Sequence, residues 1–226
     1  MEYFLYWKNK FWEVNTHKIL DKFLDPNHSF IDIGAFIGPT TLYGAFIAKK
    51  VYAIEPDPIA LKKKKKNVLL NPNLKEKIEL HQKCIHICSD EVKFGSMLNG
   101  GDSMSSILFK DSKTSWVVEG ITFDDFIIKN NIKDCNFIKM DIEGGEATIL
   151  PSMKNYLEIH KPILFLSIHP CFFDDPVNDI NKIIDVLKIY KNVYNEKGKK
   201  IELQELITKN IIKGYYEVVA TDRGWD

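Results

Sequence analysis

Apolar positions in this chain fall into short unbroken runs, separated by stretches where they recur every three or four residues. The runs at residues 29–33, 51–54, 136–140 and 163–168 predict strands buried on both faces. Residues 78–88 contain a further strand. Between them, 40–48, 59–70 and 147–157 read as helices, and 179–190 as an amphipathic helix. Ile19, Leu20, Phe23 and Leu24 follow Thr16 at helical spacing, which predicts a short helix capped by Thr16. The chain closes with residues 193–201, a short helix near 202–208, and 215–221, read as two strands flanking a connection. Alternating strands and helices imply a mostly parallel sheet covered on both faces. The last two strands lack a long crossover, so they predict an antiparallel addition at one edge. The expectation is an α/β, Rossmann-like sheet of about seven strands.

Two segments interrupt the pattern. Residues 89–120 hold a short hairpin near 92–94 and then a soft Gly/Ser/Asp stretch at 99–106. They read as an irregular insertion, and long loops of this kind are commonly functional. The lysine run 62–66 sits between apolar residues of a predicted helix and reads as a solvated, snorkelling face rather than a nucleic-acid patch.

Composition narrows the field. The 226 residues suit one α/β domain. Lys+Arg and Asp+Glu are both 31, so the chain lacks the basic excess of a nucleic-acid binder. Cys84, Cys88, Cys135 and Cys171 form no Cys-x-x-Cys pair, which gives no zinc or redox motif and suits a reducing cytosol. The first seven residues carry no signal-peptide pattern, and no apolar run nears the roughly 20 residues of a membrane span. The expected location is cytoplasmic, with no membrane insertion; the oligomeric state stays open.

Two strand ends carry the candidate chemistry. Asp32-Ile33-Gly34-Ala35-Phe36-Ile37-Gly38 is strand, acid, glycine turn, helix. It is not Gly-x-Gly-x-x-Gly, and Asp32 would repel a pyrophosphate. The same carboxylate would attract an ammonium or a sulfonium, and S-adenosylmethionine carries both. Glu55 closes the next strand, about 20 residues on, where an acid accepts hydrogen bonds from ribose hydroxyls. The second site is Asp141-Ile142-Glu143-Gly144-Gly145-Glu146, which delivers Asp141 and Glu143 to the ligand-binding edge of the sheet. Glu146, one helical turn past Glu143, is explained by helix-dipole and packing effects.

The chain resembles a class I S-adenosylmethionine-dependent methyltransferase, and more narrowly the FkbM type. Residues 11–16 resemble that family's leading Trp-Glu-x-x-Thr segment. Residues 30–39 resemble its glycine motif, 51–56 its ribose-binding strand, and 139–146 its most distinctive block. The resemblance implies that Asp32, Gly34, Ala35 and Gly38 line the methionine part of the cofactor, and that Glu55 holds the ribose. It puts Cys84 and Ile85 near adenine and Asp141 beside the methyl group, with Glu13 and Thr16 closing over the cofactor. It also implies a single methyltransferase domain over 1–226, with an N-terminal segment to 27, a cofactor-binding core over 28–170 and a C-terminal helix and strand pair over 171–226. Residues 89–120 would shape the acceptor pocket. The chain departs from the family at Ser167-Ile168-His169-Pro170, which lacks the expected carboxylate before the histidine.

Methyl transfer to a hydroxyl needs alignment and removal of one proton. His169 is the first candidate base, since its ordinary pKa suits neutral pH, and Asp141 is the second; Glu143 completes the catalytic set. Asp141, Glu143 and His169 together form a chemically acceptable set for a divalent metal, though nothing in the sequence requires one. The family resemblance suggests O-methylation of a sugar, glycan or small metabolite. The alternatives are a nicotinamide-dependent Rossmann oxidoreductase and a methyltransferase-like binding protein without activity. A nucleic-acid acceptor is not expected.

Overall fold

The computed structural model describes residues 13–101, 103–208 and 214–225. Phe11 and Trp12, part of the leading motif, lie outside them. Helix α1 (Val14–Phe23) precedes β1 (Ser29–Ile33), α2 (Pro39–Ile47), β2 (Lys50–Ile54), α3 (Pro58–Leu69), the single turn α4 (Pro72–Lys75) and β3 (Ile78–His81). Then come the short strand β4 (Cys84–Ile85), β5 (Glu91–Ser96), β6 (Ser105–Ser106) and β7 (Thr114–Ile121). The remainder is α5 (Phe123–Lys129), β8 (Cys135–Met140), α6 (Glu146–Ile149), α7 (Lys154–His160), β9 (Ile163–Ile168), α8 (Pro176–Leu187), β10 (Asn192–Asn195) and β11 (Tyr216–Thr221).

Seven strands form the main sheet in the order β10-β11-β9-β8-β1-β2-β3. The core pairs are parallel, and β11 runs antiparallel between β9 and β10. The antiparallel addition therefore sits at one side as expected, with its reversed strand one place in from the edge. Two apolar clusters cover the sheet. Ile31, Ile33, Ile54, Ile138, Met140 and Leu166 pack on one face. Phe30, Val51, Phe137, Phe165 and Val219 pack on the other, under α1 and α2, with Phe30 and Phe137 edge to face at 5.4 Å. Period-2 alternation puts the next residues of that second face, Asp32, Lys139, Ser167 and Glu217, at its upper end.

Helix starts follow from local chemistry. Proline opens α2, α3 and α8, where a missing N–H costs nothing. Asp57 caps α3, Thr122 caps α5, and Asp175 caps α8. Thr16 does not cap α1. The helix begins at Val14 behind Glu13, and Thr16 is buried within it.

Other expectations need correction. Residues 89–120 are not irregular: β5 pairs antiparallel with β7 from Glu91↔Glu119 to Ser96↔Thr114, β6 adds to β5, and β4 joins β7. This small sheet has its own core of Cys84, Val92, Phe94 and Val118. The strand expected at 78–88 is split between the two sheets as β3 and β4. Residues 193–201 form a strand and tight turn rather than one strand, since Gly198 has φ +82° and Asn195 accepts from the Lys197 and Lys199 amides. The lysine run is not a uniformly solvated face. Lys62, Lys65 and Lys66 are exposed, Lys63 donates to Gly101 O at 2.8 Å, and Lys64 is completely buried.

Candidate active site

The turn after β1 is built for close approach. Gly34 has φ +79°, and a Cβ there would lie 1.7 Å from the Asp141 carbonyl oxygen. The Gly34 and Ala35 amides both donate to Ile54 O, and the Asp141 amide donates to Ile33 O. Three strand ends are thus tied into one unit by backbone hydrogen bonds. Asp32 does not reach the surface of this turn. It is fully buried, and its Oδ2 accepts from Thr40 Oγ1 at 2.9 Å and Thr41 Oγ1 at 2.6 Å, while Oδ1 has no partner. It lies beneath the loop and fastens α2 through Oδ2. Ala35 and Gly38 are likewise buried.

Glu55 does reach the cleft. Its Oε2 accepts from the Phe36 amide at 2.7 Å and its Oε1 from the Asp57 amide at 2.8 Å. Burial raises its pKa, with the Lys64 charge pulling the other way. The carboxylate has lone pairs left for a ligand hydroxyl. The cleft is lined by Gly34, Phe36, Glu55, Cys84, Ile85, Asp141 and Glu143, with Phe94, Ser103, Ser105 and Ile107 from the small sheet. Burial pushes the Cys84 thiol up to about 12, so it remains a protonated wall residue.

The end of β8 gathers the remaining chemistry. Lys139 is buried and donates to Asp141 Oδ2 at 3.1 Å. Burial opposes charge on Lys139, but Asp141, Asp32 and Glu13 outweigh it and raise its pKa. Burial alone would raise Asp141; Lys139 and His169 hold it below its ordinary value. Glu143 stands at φ +51° and Gly144 at φ +95°. A Cβ on Gly144 would meet Leu108 and Phe172 within 3 Å. Burial pushes Glu143 up to about 7.

His169 closes the cluster. Its Nε2 lies 3.7 Å from Asp141 Oδ1 and 3.6 Å from Glu143 Oε2, and its Nδ1 lies 2.9 Å from Glu146 Oε1. Burial disfavours the imidazolium, yet the Glu146 hydrogen bond and three carboxylate charges raise its pKa to about 9. His169 is therefore protonated at neutral pH. Its choice as first candidate base, made from the ordinary histidine pKa, gives way to the carboxylates it faces. The rings of Phe172 and Tyr215 stack against it at centroid distances of 6.2 and 6.0 Å.

Asp141, Glu143 and His169 present ligand atoms within 4.8 Å of one another, a set that could hold a divalent ion. Lys139 and the imidazolium already sit against these carboxylates, so charge balance does not call for one.

Sequence reasoning missed several members. Glu146 is fully buried and accepts from the Ile142 amide at 3.2 Å and the Gly144 amide at 3.1 Å, as well as meeting His169. It shapes the Asp141–Gly144 loop, a role beyond helix-dipole effects. Glu217 pairs with Ser167 across β11 and β9, and burial brings its pKa to about 7 near Glu13, Lys139 and Asp141. A carboxylate thus stands opposite the position where Ser167 lacks one. Glu13 is close enough to Lys139, Asp141 and Asp32 to share their charge, so the N-terminal segment reaches the site, with Thr16 bonded to it.

Comparison with known proteins agrees with this fold. The sequence profile of the methyltransferase FkbM domain matches residues 32–199. The structure is similar to methyltransferase FkbM from Methylobacillus flagellatus KT, at a TM-score of 0.57 and 19% identity, covering 87% of this chain and 44% of that one. It is similar to an rRNA methylase from Streptococcus thermophilus at a TM-score of 0.52 and 12% identity, covering 92% and 95% of the two chains. It is also similar to a Streptococcus mutans protein described as a methyltransferase and solved with SAH, at a TM-score of 0.51 and 15% identity, covering 91% and 95%. No curated protein matches the chain in a sequence search. Among the described residues no helix is long and apolar enough to cross a membrane.

Proposed function

The chain belongs to the FkbM family of S-adenosylmethionine-dependent methyltransferases, and from that premise we propose that it O-methylates a hydroxyl of a sugar, glycan or small metabolite. The observation that carries this reading is the cluster of Asp141, Glu143 and Glu146 around His169, flanked by the rings of Phe172 and Tyr215. S-adenosylmethionine supplies an electrophilic methyl group on a sulfonium. The residues present fit it. Glu55 offers free lone pairs in the cleft, Gly34 permits backbone approach, and Asp141 and Glu143 favour a nearby positive charge.

Glu143 takes the acceptor proton in this reading. Its pKa of about 7 places it where a base works best at neutral pH. Asp141, held ionised by Lys139, orients the acceptor hydroxyl, and the His169 imidazolium fixes both carboxylates. Aromatic rings beside such a cluster suit the apolar faces of a sugar. Glu13, Asp141, Glu143 and Glu217 together make a polyanionic acceptor a poor match. The same reading takes residues 1–226 as one methyltransferase domain, with 28–170 holding the cofactor, and works without a metal. The nicotinamide-dependent alternative loses its support with the family assignment.

The test is incubation with methyl-labelled S-adenosylmethionine and a panel of free sugars, glycans and RNA, read by mass spectrometry. Label on a carbohydrate oxygen is expected. Label on RNA alone would overturn the acceptor class, and cofactor binding without turnover on any acceptor would favour a binding protein.

A further inference from the structure

Lys64 occupies the buried face of α3 with Ala60, Leu61 and Val68, where an apolar side chain would ordinarily sit. Its stem packs under the loop after β1, so that a Cβ on Gly38 would lie 2.8 Å from Lys64 Cγ. Its Nζ is buried and has no hydrogen-bond partner among the described residues. A buried ammonium is costly unless neighbouring charge compensates it. Three charged groups face it. Glu55 at the end of β2 and Asp32 in β1 favour its charged form, and Lys139 in β8 opposes it. Burial wins in part and lowers Lys64 to about 8, still a cation at neutral pH.

The reciprocal effect falls on Glu55. Besides Lys64 on α3, the titratable groups facing it are Asp57 in the following loop and Cys84 on β4, a thiol that stays neutral. Lys64 is therefore the one cation offsetting the burial of Glu55 among these groups. Glu55 needs both oxygens as acceptors, since the Phe36 and Asp57 amides donate to one each. Protonation would take one of those acceptor sites. The same helix also grips the loop through Asn67, whose side chain donates to Ile37 O at 2.9 Å.

We propose that Lys64 is a positioning residue of the cofactor site, whose buried ammonium keeps Glu55 a carboxylate able to hold the Phe36 turn and accept ribose hydroxyls. Only the last clause rests on reading Glu55 as a cofactor ligand.

The test follows the Phe36 and Asp57 amide resonances against pH in the ligand-free protein, and S-adenosylmethionine affinity by calorimetry over the same range. In the wild type the amides report the Glu55 midpoint, which burial raises and the Lys64 charge holds back. In Lys64→Met the midpoint moves up from the wild-type one, and affinity weakens about tenfold for each pH unit below it, recovering in alkali. Lys64→Gln, which keeps a polar end, gives the same shift and serves where the methionine variant folds poorly. An unmoved midpoint in either variant overturns the proposal, as does an affinity loss equal at every pH, which would mark Lys64 as packing alone. A shifted midpoint in a protein that binds no S-adenosylmethionine would keep the Lys64–Glu55 coupling and remove the cofactor role of Glu55.

Discussion

His169 and Glu146 meet at 2.9 Å, Nδ1 to Oε1, with the carboxylate fully buried and the imidazole nearly so. The contact leaves Nε2 facing Asp141 and Glu143, and the three carboxylates together favour the imidazolium. A buried acid thereby bears on what a second residue, remote in sequence, can do.

Methyl transfer to a hydroxyl acceptor should rise with pH through about 7, where Glu143 loses its proton. Glu143→Gln should lower kcat by about 10²–10⁴-fold, the usual worth of a general base, and remove that rise. Initial rates across the pH range check this. The cluster titrates as a unit, so the observed midpoint belongs to the group. A rise that survives in the glutamine variant would show that another group of the cluster sets it.

Glu146→Ala should destabilise the fold by about 3 kcal/mol, because it strands the buried Gly144 amide, the half-buried Ile142 amide and the His169 charge. Urea unfolding measures the loss. Turnover should fall further than cofactor affinity, since the loop it shapes carries Asp141 and Glu143.

Stability should decline in mild alkali. The folded pKa of His169 is raised from 6.5 to about 9, so its contribution is complete below about 6.5 and disappears as pH rises through about 9. Unfolding midpoints at either end of that window should differ more in the wild type than in His169→Gln. Equal differences in both proteins would show that another group sets the decline.

Gly34→Ala and Gly38→Ala should part company although both glycines have positive φ. The added methyl at 34 meets the Asp141 backbone, which cannot move without breaking the strand ends apart. A loss of about 3 kcal/mol or more is expected there. At 38 it meets the Lys64 side chain instead of backbone, and about 1–2 kcal/mol is expected. Thermal unfolding of the two variants gives the comparison.

Prolonged chelation should leave methyl transfer unchanged, because Lys139 and the imidazolium already compensate Asp141 and Glu143. Activity lost to a chelator and restored by manganese would show instead that the cluster holds an ion.

Much of the frame was legible because buried strands announce themselves. Phe30–Ile33 and Phe137–Met140 are apolar runs, and the residues that end them follow by simple alternation. The cleft residues Gly34, Glu55 and Asp141 came from the same logic. What escaped depended on contacts across the fold. The pattern cannot show that Thr40 and Thr41 both bond one oxygen of Asp32 and tie it to α2. Glu146 and His169 are 23 positions apart, so neither hinted at the charge of the other. Lys64 was readable in principle: it lies four residues after Ala60 and four before Val68, on the buried stripe, but its residue type concealed the period. In β7, Thr114, Trp116 and Val118 alternate toward the small core, yet exposed Val117 between them blurred the signal.

The small sheet of β4, β5, β6 and β7 closes one wall of the cleft; its Ile85 and Ile121 join the core under the main sheet, while Cys84, Val92, Phe94 and Val118 form a core of their own. Changes in that smaller core need not travel into the packing that positions Gly34, Glu55 and Asp141. On the reading proposed above, such a division lets acceptor preference drift over generations while the donor end stays fixed, so relatives sharing the strand-end residues are expected to differ most in what they methylate.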